Sequence, residues 1–282
     1  MRDYASTVRR GLHAAVTLVL LLAAVGCGER SEPVGPAEEL FPLTITTAER
    51  PLTIPSQPRR VVVLEGGPEA LLDALDAPVV AANVAVSDLA GLKPDLVVAP
   101  STTSDSGLSQ AAAAGAPVYV THDTSITEVE RAITQLGLIV AEPAAARRLV
   151  RDVRLQRQIL SRRLSGTPRT TVFVDFGGRE TASDNTLVGD LIREARGRNV
   201  GGGVPEGLPV PVGELLALDP EVYVSVGGPT LEQLQRGVRT RRLRAVKSGR
   251  VHVLDERLLS ATPAIAQGLD RLARALHPDA FR

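Results

Sequence analysis

The sequence predicts an α/β protein of two lobes with mostly parallel sheets, joined by one long helix. Three observations carry this. From about residue 60 onward, short β-branched runs alternate with segments whose apolar residues recur at helical spacing. One stretch, Pro143 to Leu164, breaks the alternation with one long helical pattern that keeps an apolar stripe. Past it the alternation begins again, which implies two sheet-and-helix layers rather than one.

The elements follow in order. Arg60-Val61-Val62-Val63-Leu64 is a short strand ended by Gly66-Gly67. Pro68 to Ala77 has helical spacing, with proline at a helix start. Asp95 to Ala99 is a second strand, stopped by Pro100 and a Ser/Thr-rich loop. The run LSQAAAAGA is a helix closed by Gly115, and PVYV is a third strand. The helix SITEVERAITQLGLIV opens on Ser125 with Glu128 three places on, a capping box. The long helix from Pro143 carries Arg147, Arg148, Arg151, Arg154, Arg157, Arg162 and Arg163 around an apolar stripe. Such a face suits phosphate binding, or simply a solvated surface whose Arg stems cover apolar atoms. After it come a strand at Thr170–Phe176, a helix at Leu187–Ala195, a strand at Glu221–Val226 ended by Gly227-Gly228, a helical turn at Thr230–Arg236, a strand at Arg250–Leu254 and a last helix at Pro263–Leu276.

The N-terminus is of another kind. Arg2, Arg9 and Arg10 precede an apolar run from Ala14 to Val25, too short to span a bilayer and typical of a secretory signal. The run ends in Ala24-Val25-Gly26-Cys27, which resembles a bacterial lipobox, and Cys27 is the chain's only cysteine. The resemblance implies cleavage before Cys27 and lipidation of it. The expected organisation is a signal peptide at 1–26, a tether at 27–43, an N-terminal lobe at 44–142, the connecting helix at 143–165 and a C-terminal lobe at 166–282. The expected location is extracytoplasmic, held to the cell membrane by lipid.

Composition narrows the function classes. Formal net charge is zero, so no nucleic-acid footprint is visible. The chain has four Phe, three Tyr and no Trp, little material for an aromatic cage around a ligand. No P-loop, nucleophile elbow or HExxH occurs, and NVGGGVPEG follows a helix rather than a strand, so an enzyme is not expected. His122, His252 and His277 do not converge in sequence, and a bare metal site needs three or four ligands, so no metal or cofactor is assigned.

The ordered segments RRVVVLEGGPEALLDALDA, LAGLKPDLVVA, SITEVERAITQLG, LVGDLIREARGRNVGGG, VPVGELLALDPEVYVSVGG, LRAVKSGRVHVLDERLLS and IAQGLDRLARALHPDAF resemble the helical-hinge substrate-binding proteins of ABC importers, from about residue 44 to the end. That family serves ferric siderophores, haem and cobalamin. The resemblance implies two Rossmann-like lobes with small hinge motion, a metal-chelate ligand (first a ferric siderophore, then cobalamin or haem) and permease and ATPase partners. A binding or sensing lipoprotein without a transporter is the other reading. The family docks through one acid per lobe, which implies Glu214 in VGELL; before LKPD the matching place holds Ser87, with Asp88 one position on. After the first helix the family has a further strand and aromatic loops, whereas here PVVAANVAVSDLAG joins the flanking segments directly.

Ligands of open parallel sheets sit beyond the carboxyl ends of the strands. The candidate cleft residues are therefore Glu65, Ser101, Thr102 and His122 in the first lobe, and Phe176, Arg179, Asp255 and Arg257 in the second. Arg179 and Arg257 suit an anionic chelate by charge-assisted hydrogen bonds, or surface pairs with Glu180 and Glu256. His122 suits a metal or a ligand hydrogen bond, or is a plain polar loop residue.

Overall fold

The computed structural model describes residues 40–205 and 208–282. The predicted signal peptide, Cys27 and most of the predicted tether lie outside the described residues. Among those described, a short antiparallel hairpin comes first: β1 (Leu43–Thr46) pairs with β2 (Pro51–Ile54).

The first lobe holds β3 (Val61–Leu64), α1 (Glu69–Asp73), β4 (Val79–Val84), α2 (Leu89–Leu92), β5 (Leu96–Pro100), α3 (Asp105–Ala113), β6 (Val118–Thr121) and α4 (Ile126–Ile139). Helix α5 (Pro143–Arg163) follows. The second lobe holds β7 (Thr170–Asp175), α6 (Leu187–Glu194), β8 (Gly197–Asn199), α7 (Val212–Leu218), β9 (Val222–Ser225), α8 (Leu231–Arg236), α9 (Arg244–Lys247), β10 (Val251–Val253) and α10 (Ile265–Leu276). Both four-stranded sheets are parallel throughout, in the orders β4-β3-β5-β6 and β10-β9-β7-β8.

Numbered within its lobe, each sheet therefore has the order 2-1-3-4. The likeness extends to residues. Asp88-Leu89-Ala90-Gly91-Leu92-Lys93-Pro94-Asp95-Leu96 lies over Glu214-Leu215-Leu216-Ala217-Leu218-Asp219-Pro220-Glu221-Val222, in each lobe just before the third strand. Lys93 and Asp219 both end their helices with left-handed backbone, at φ 47° and 38°. Asp95 accepts the amides of Arg59 and Arg60 beside β3, and Glu221 accepts the amide of Thr171 in β7. The hydrogen bonds to Thr171 hold the Glu221 carboxyl below its usual value, against the opposing effect of partial burial. PVVAANVAVSDLAG, read as a direct connection, contains β4, so the second strand of the lobe is retained.

Alternation along the strands buries both faces of each sheet, as parallel sheets require. Val62, Leu64, Val97 and Ala99 face α3, while Phe173 and Tyr223 face α7 to α9. The opposite faces, including Val61, Val63, Val172 and Val174, share one continuous core with α4, α5 and α10. Helix α5 thus packs on both lobes through Val150, Val153 and Leu160. Its approach to α4 is close because Gly137 has no side chain: a Cβ there would sit 2.3 Å from that of Ala146.

Candidate functional site

In each lobe the sheet order reverses between the first and third strands, and the loops after β3, β5 and β6 meet those after β7 and β10. Two adjoining chambers open there. The first, about 380 Å³, runs from Gly66-Gly67-Pro68 and Thr121–Asp123 to Ser260–Thr262. The second, about 570 Å³, runs from Ser101, Thr102 and Thr124 to Phe176, Thr181–Ser183 and Asn185–Val188. Asp123, Ser260 and Ala261 belong to both. The glycines follow from the turn: Gly66 sits at φ 74°, and a Cβ at Gly67 would strike Val63 at 2.6 Å.

The structure distributes the expected site residues unevenly. Ser101, Thr102 and Phe176 line the second chamber, and His122 the first. The His122 imidazole is held by Glu49 in the turn of the β1–β2 hairpin, with Nε2 2.5 Å from Oε1. Partial burial pushes the Glu49 carboxyl up, but hydrogen bonds with His122 and Thr47 outweigh it and leave the group below its ordinary value. Glu65 is exposed and lines neither chamber. Arg179 also lines neither: its Nε donates to the Val210 carbonyl at 2.8 Å, and its amide donates to Asp175. Arg257 pairs with Asp255 rather than Glu256 and is 81 % exposed. That pair lines an outer groove, which meets the first chamber at Ala70 and Thr262.

Beneath the second lobe's loops, Asp175 is buried at 1 % exposure. It accepts the Tyr223 hydroxyl and the amides of Gly177 and Arg179. Burial, then the Asp175 carboxylate, raise the Tyr223 hydroxyl far above its ordinary value, so it stays a donor. This bond fixes the loop that carries Phe176. Sequence reasoning missed the Thr181–Val188 wall and the Ser260–Thr262 loop. A run of Ser, Ala and Thr before Pro263 marks the second as a loop, but not which lobe it meets. Among the described residues no group of three or more His, Cys, Asp or Glu is placed to hold a metal ion.

Residues 81–258 match the sequence profile of a family described as periplasmic binding protein. The chain belongs to that family. The Cobalamin-binding protein of Halobacterium salinarum is 26 % identical over 207 residues, 68 % of this chain. The chain spans little more than half of that relative, 56 % of its length. Solved structures share the fold. Helicobacter pylori CeuE with Ni(II) bound matches at TM-score 0.74 and 16 % identity, over 85 % of this chain and 90 % of that one. The Haemophilus influenzae molybdate-binding protein MolA matches at 0.73 and 19 %, over 84 % and 92 %. The haem-binding protein RhuT from Roseiflexus matches at 0.67 and 22 %, over 79 % and 99 %.

In this periplasmic binding protein the lobes are tied behind the cleft. The Ile126 amide at the start of α4 donates to Asp190 of α6 at 2.8 Å. Glu130 of α4 accepts Arg154 and Arg157 of α5, and Arg157 also donates to Glu194 of α6. On the outer surface, Asp88 and Glu214 both lie exposed at the helical turns that the two lobes share. Among the described residues no helix is long and apolar enough to cross a membrane.

Proposed function

We propose that the protein is the substrate-binding lipoprotein of an ABC importer, which captures a metal chelate between its lobes and presents it to a permease and its ATPase. The observation that carries this reading is a cleft walled by strand-end loops of both lobes, together with an exposed carboxylate at the same repeat position on each lobe. The repeat selects Asp88 rather than Ser87 as the counterpart of Glu214, since Asp88 aligns with it through nine consecutive positions. A ferric siderophore is the first ligand class. Cobalamin is the second reading, favoured by the likeness to the cobalamin-binding protein of Halobacterium salinarum. The family supports binding rather than turnover.

Ligand at 100 times its Kd stabilises the folded state by about 2.7 kcal/mol. A thermal-shift panel of ferric siderophores, cobalamin and haem is therefore expected to give a saturable rise in Tm with one of them. A folded protein that responds to none overturns chelate capture. Asp88→Arg and Glu214→Arg are expected to abolish uptake in cells while leaving that rise intact; unchanged uptake overturns the docking roles. Labelled palmitate is expected on the wild type and absent from Cys27→Ser.

A further inference from the structure

The sign of the charge in the cleft is opposite to the one expected from Arg179 and Arg257. Among the described residues neither chamber has an Arg or Lys in its wall, whereas Glu69, Asp123 and Glu180 all stand there. The one basic group, His122, is already paired with Glu49. The rest of the polar wall is hydroxyl and amide.

Helix N-termini at the cleft would normally favour an anion. At the two longer helices, α4 and α6, the chain's own side chains occupy them, whereas the one-turn α1 beside the first chamber has no side-chain cap. At the start of α4, Asp190 takes the Ile126 amide, Ser125 takes that of Glu128, and the Glu128 carboxylate takes the Thr124 amide and hydroxyl. At α6, Thr186 takes the Gly189 amide. Asp123 stands next to these filled positions, where both chambers meet. Its carboxyl lies above its ordinary value, chiefly through partial enclosure and then through the Glu128 carboxylate. In the second chamber Thr181 is 3 % exposed, and its buried Oγ1 has no protein partner. A buried hydroxyl without a partner is an acceptor or donor left for something else.

We propose that this cleft selects its ligand by charge, taking neutral or positively charged chelates rich in amide and hydroxyl groups and rejecting anionic ones, with Asp123 as the specificity-determining group. The inference rests on the cleft being the ligand site.

Three probes test it by fluorescence titration of the protein: a cationic ferric tris-hydroxamate, neutral cyanocobalamin and trianionic ferric tris-catecholate. The hydroxamate or the cobalamin is expected to bind more tightly than the catecholate. Asp123→Lys is expected to weaken the cationic chelate by about tenfold or more, since it replaces an attraction between unit charges with a repulsion. Asp123→Asn is expected to fall between. Tightest binding of the tris-catecholate by the wild type, or an unchanged preference in Asp123→Lys, overturns the proposal. If no chelate binds, chelate capture fails, and the charge rule is read from amide relaxation at Thr121–Thr124 with cationic and anionic nitroxides. Stronger enhancement by the cation then upholds it, and equal or stronger enhancement by the anion overturns it.

Discussion

Glu130 is 5 % exposed and would be an isolated buried charge without its two arginines. Arg154 reaches it from a position 66 % exposed, and Arg157 from one 28 % exposed, so water screens part of the pairing. Glu130→Gln is expected to cost about 2 kcal/mol, below the 3–5 kcal/mol of a fully enclosed pair. Urea denaturation measures this. His277 works by another route. Its Nε2 lies 3.1 Å and 3.2 Å from the carbonyls of Ala195 and Arg196, which only accept, so Nε2 carries the hydrogen. Burial lowers the imidazole below its ordinary 6.5, against those hydrogen bonds, and burial also lowers His252. The unfolded chain therefore binds protons at a higher pH than the folded one. The stability these groups contribute is complete above pH 6.5 and lost as pH falls through their lowered folded values. The urea midpoint is expected to hold near pH 7.5 and to fall toward pH 5, with a shallower fall in His277→Gln.

At the scale of elements, the crossing of α4 and α5 depends on Gly137. Gly137→Ala places a methyl against Ala146 and is expected to cost about 1–3 kcal/mol by overpacking, read from the same denaturation curves. The strands and long helices were legible because β-branched runs and helical spacing coincide with what is buried: Val61–Leu64, Thr170–Asp175 and Pro143–Arg163 lie within a residue or two of their expected bounds. The hairpin β1–β2, β4 and β8 were not. Leu43–Ile54 is broken by Pro51, Val79–Val84 lacks clean alternation, and Gly197–Asn199 is only three residues stabilised by its neighbour β7. The strand-end rule pointed to loops that meet between the lobes, but not to the direction of long side chains. Arg179 turns to Val210 because its own backbone is held at φ 73° by Asp175, and Arg257 closes on Asp255 two residues back. Ser260–Thr262 reaches the first lobe only through the tertiary fold, and no local pattern announces that.

For the whole molecule, the shared core along α5 and the chain Glu130–Arg157–Glu194 bind the lobes into one unit behind an open front. Residues 40–282 are therefore expected to unfold in a single transition, with coincident curves from probes in either lobe. The 2-1-3-4 sheet order repeats in the two lobes, and strand-end loops of both lobes wall the cleft. Ala261 belongs to both chambers, so a large side chain at this position is expected to close the site. The deciding measurement is a binding titration of the wild type and Ala261→Trp with whichever chelate raises the wild-type Tm. The expected result is a loss of affinity of about tenfold or more in a protein that still folds, since a drug-sized ligand buries most of its surface in such a cleft. Equal affinity in the two proteins would contradict a ligand site between the lobes.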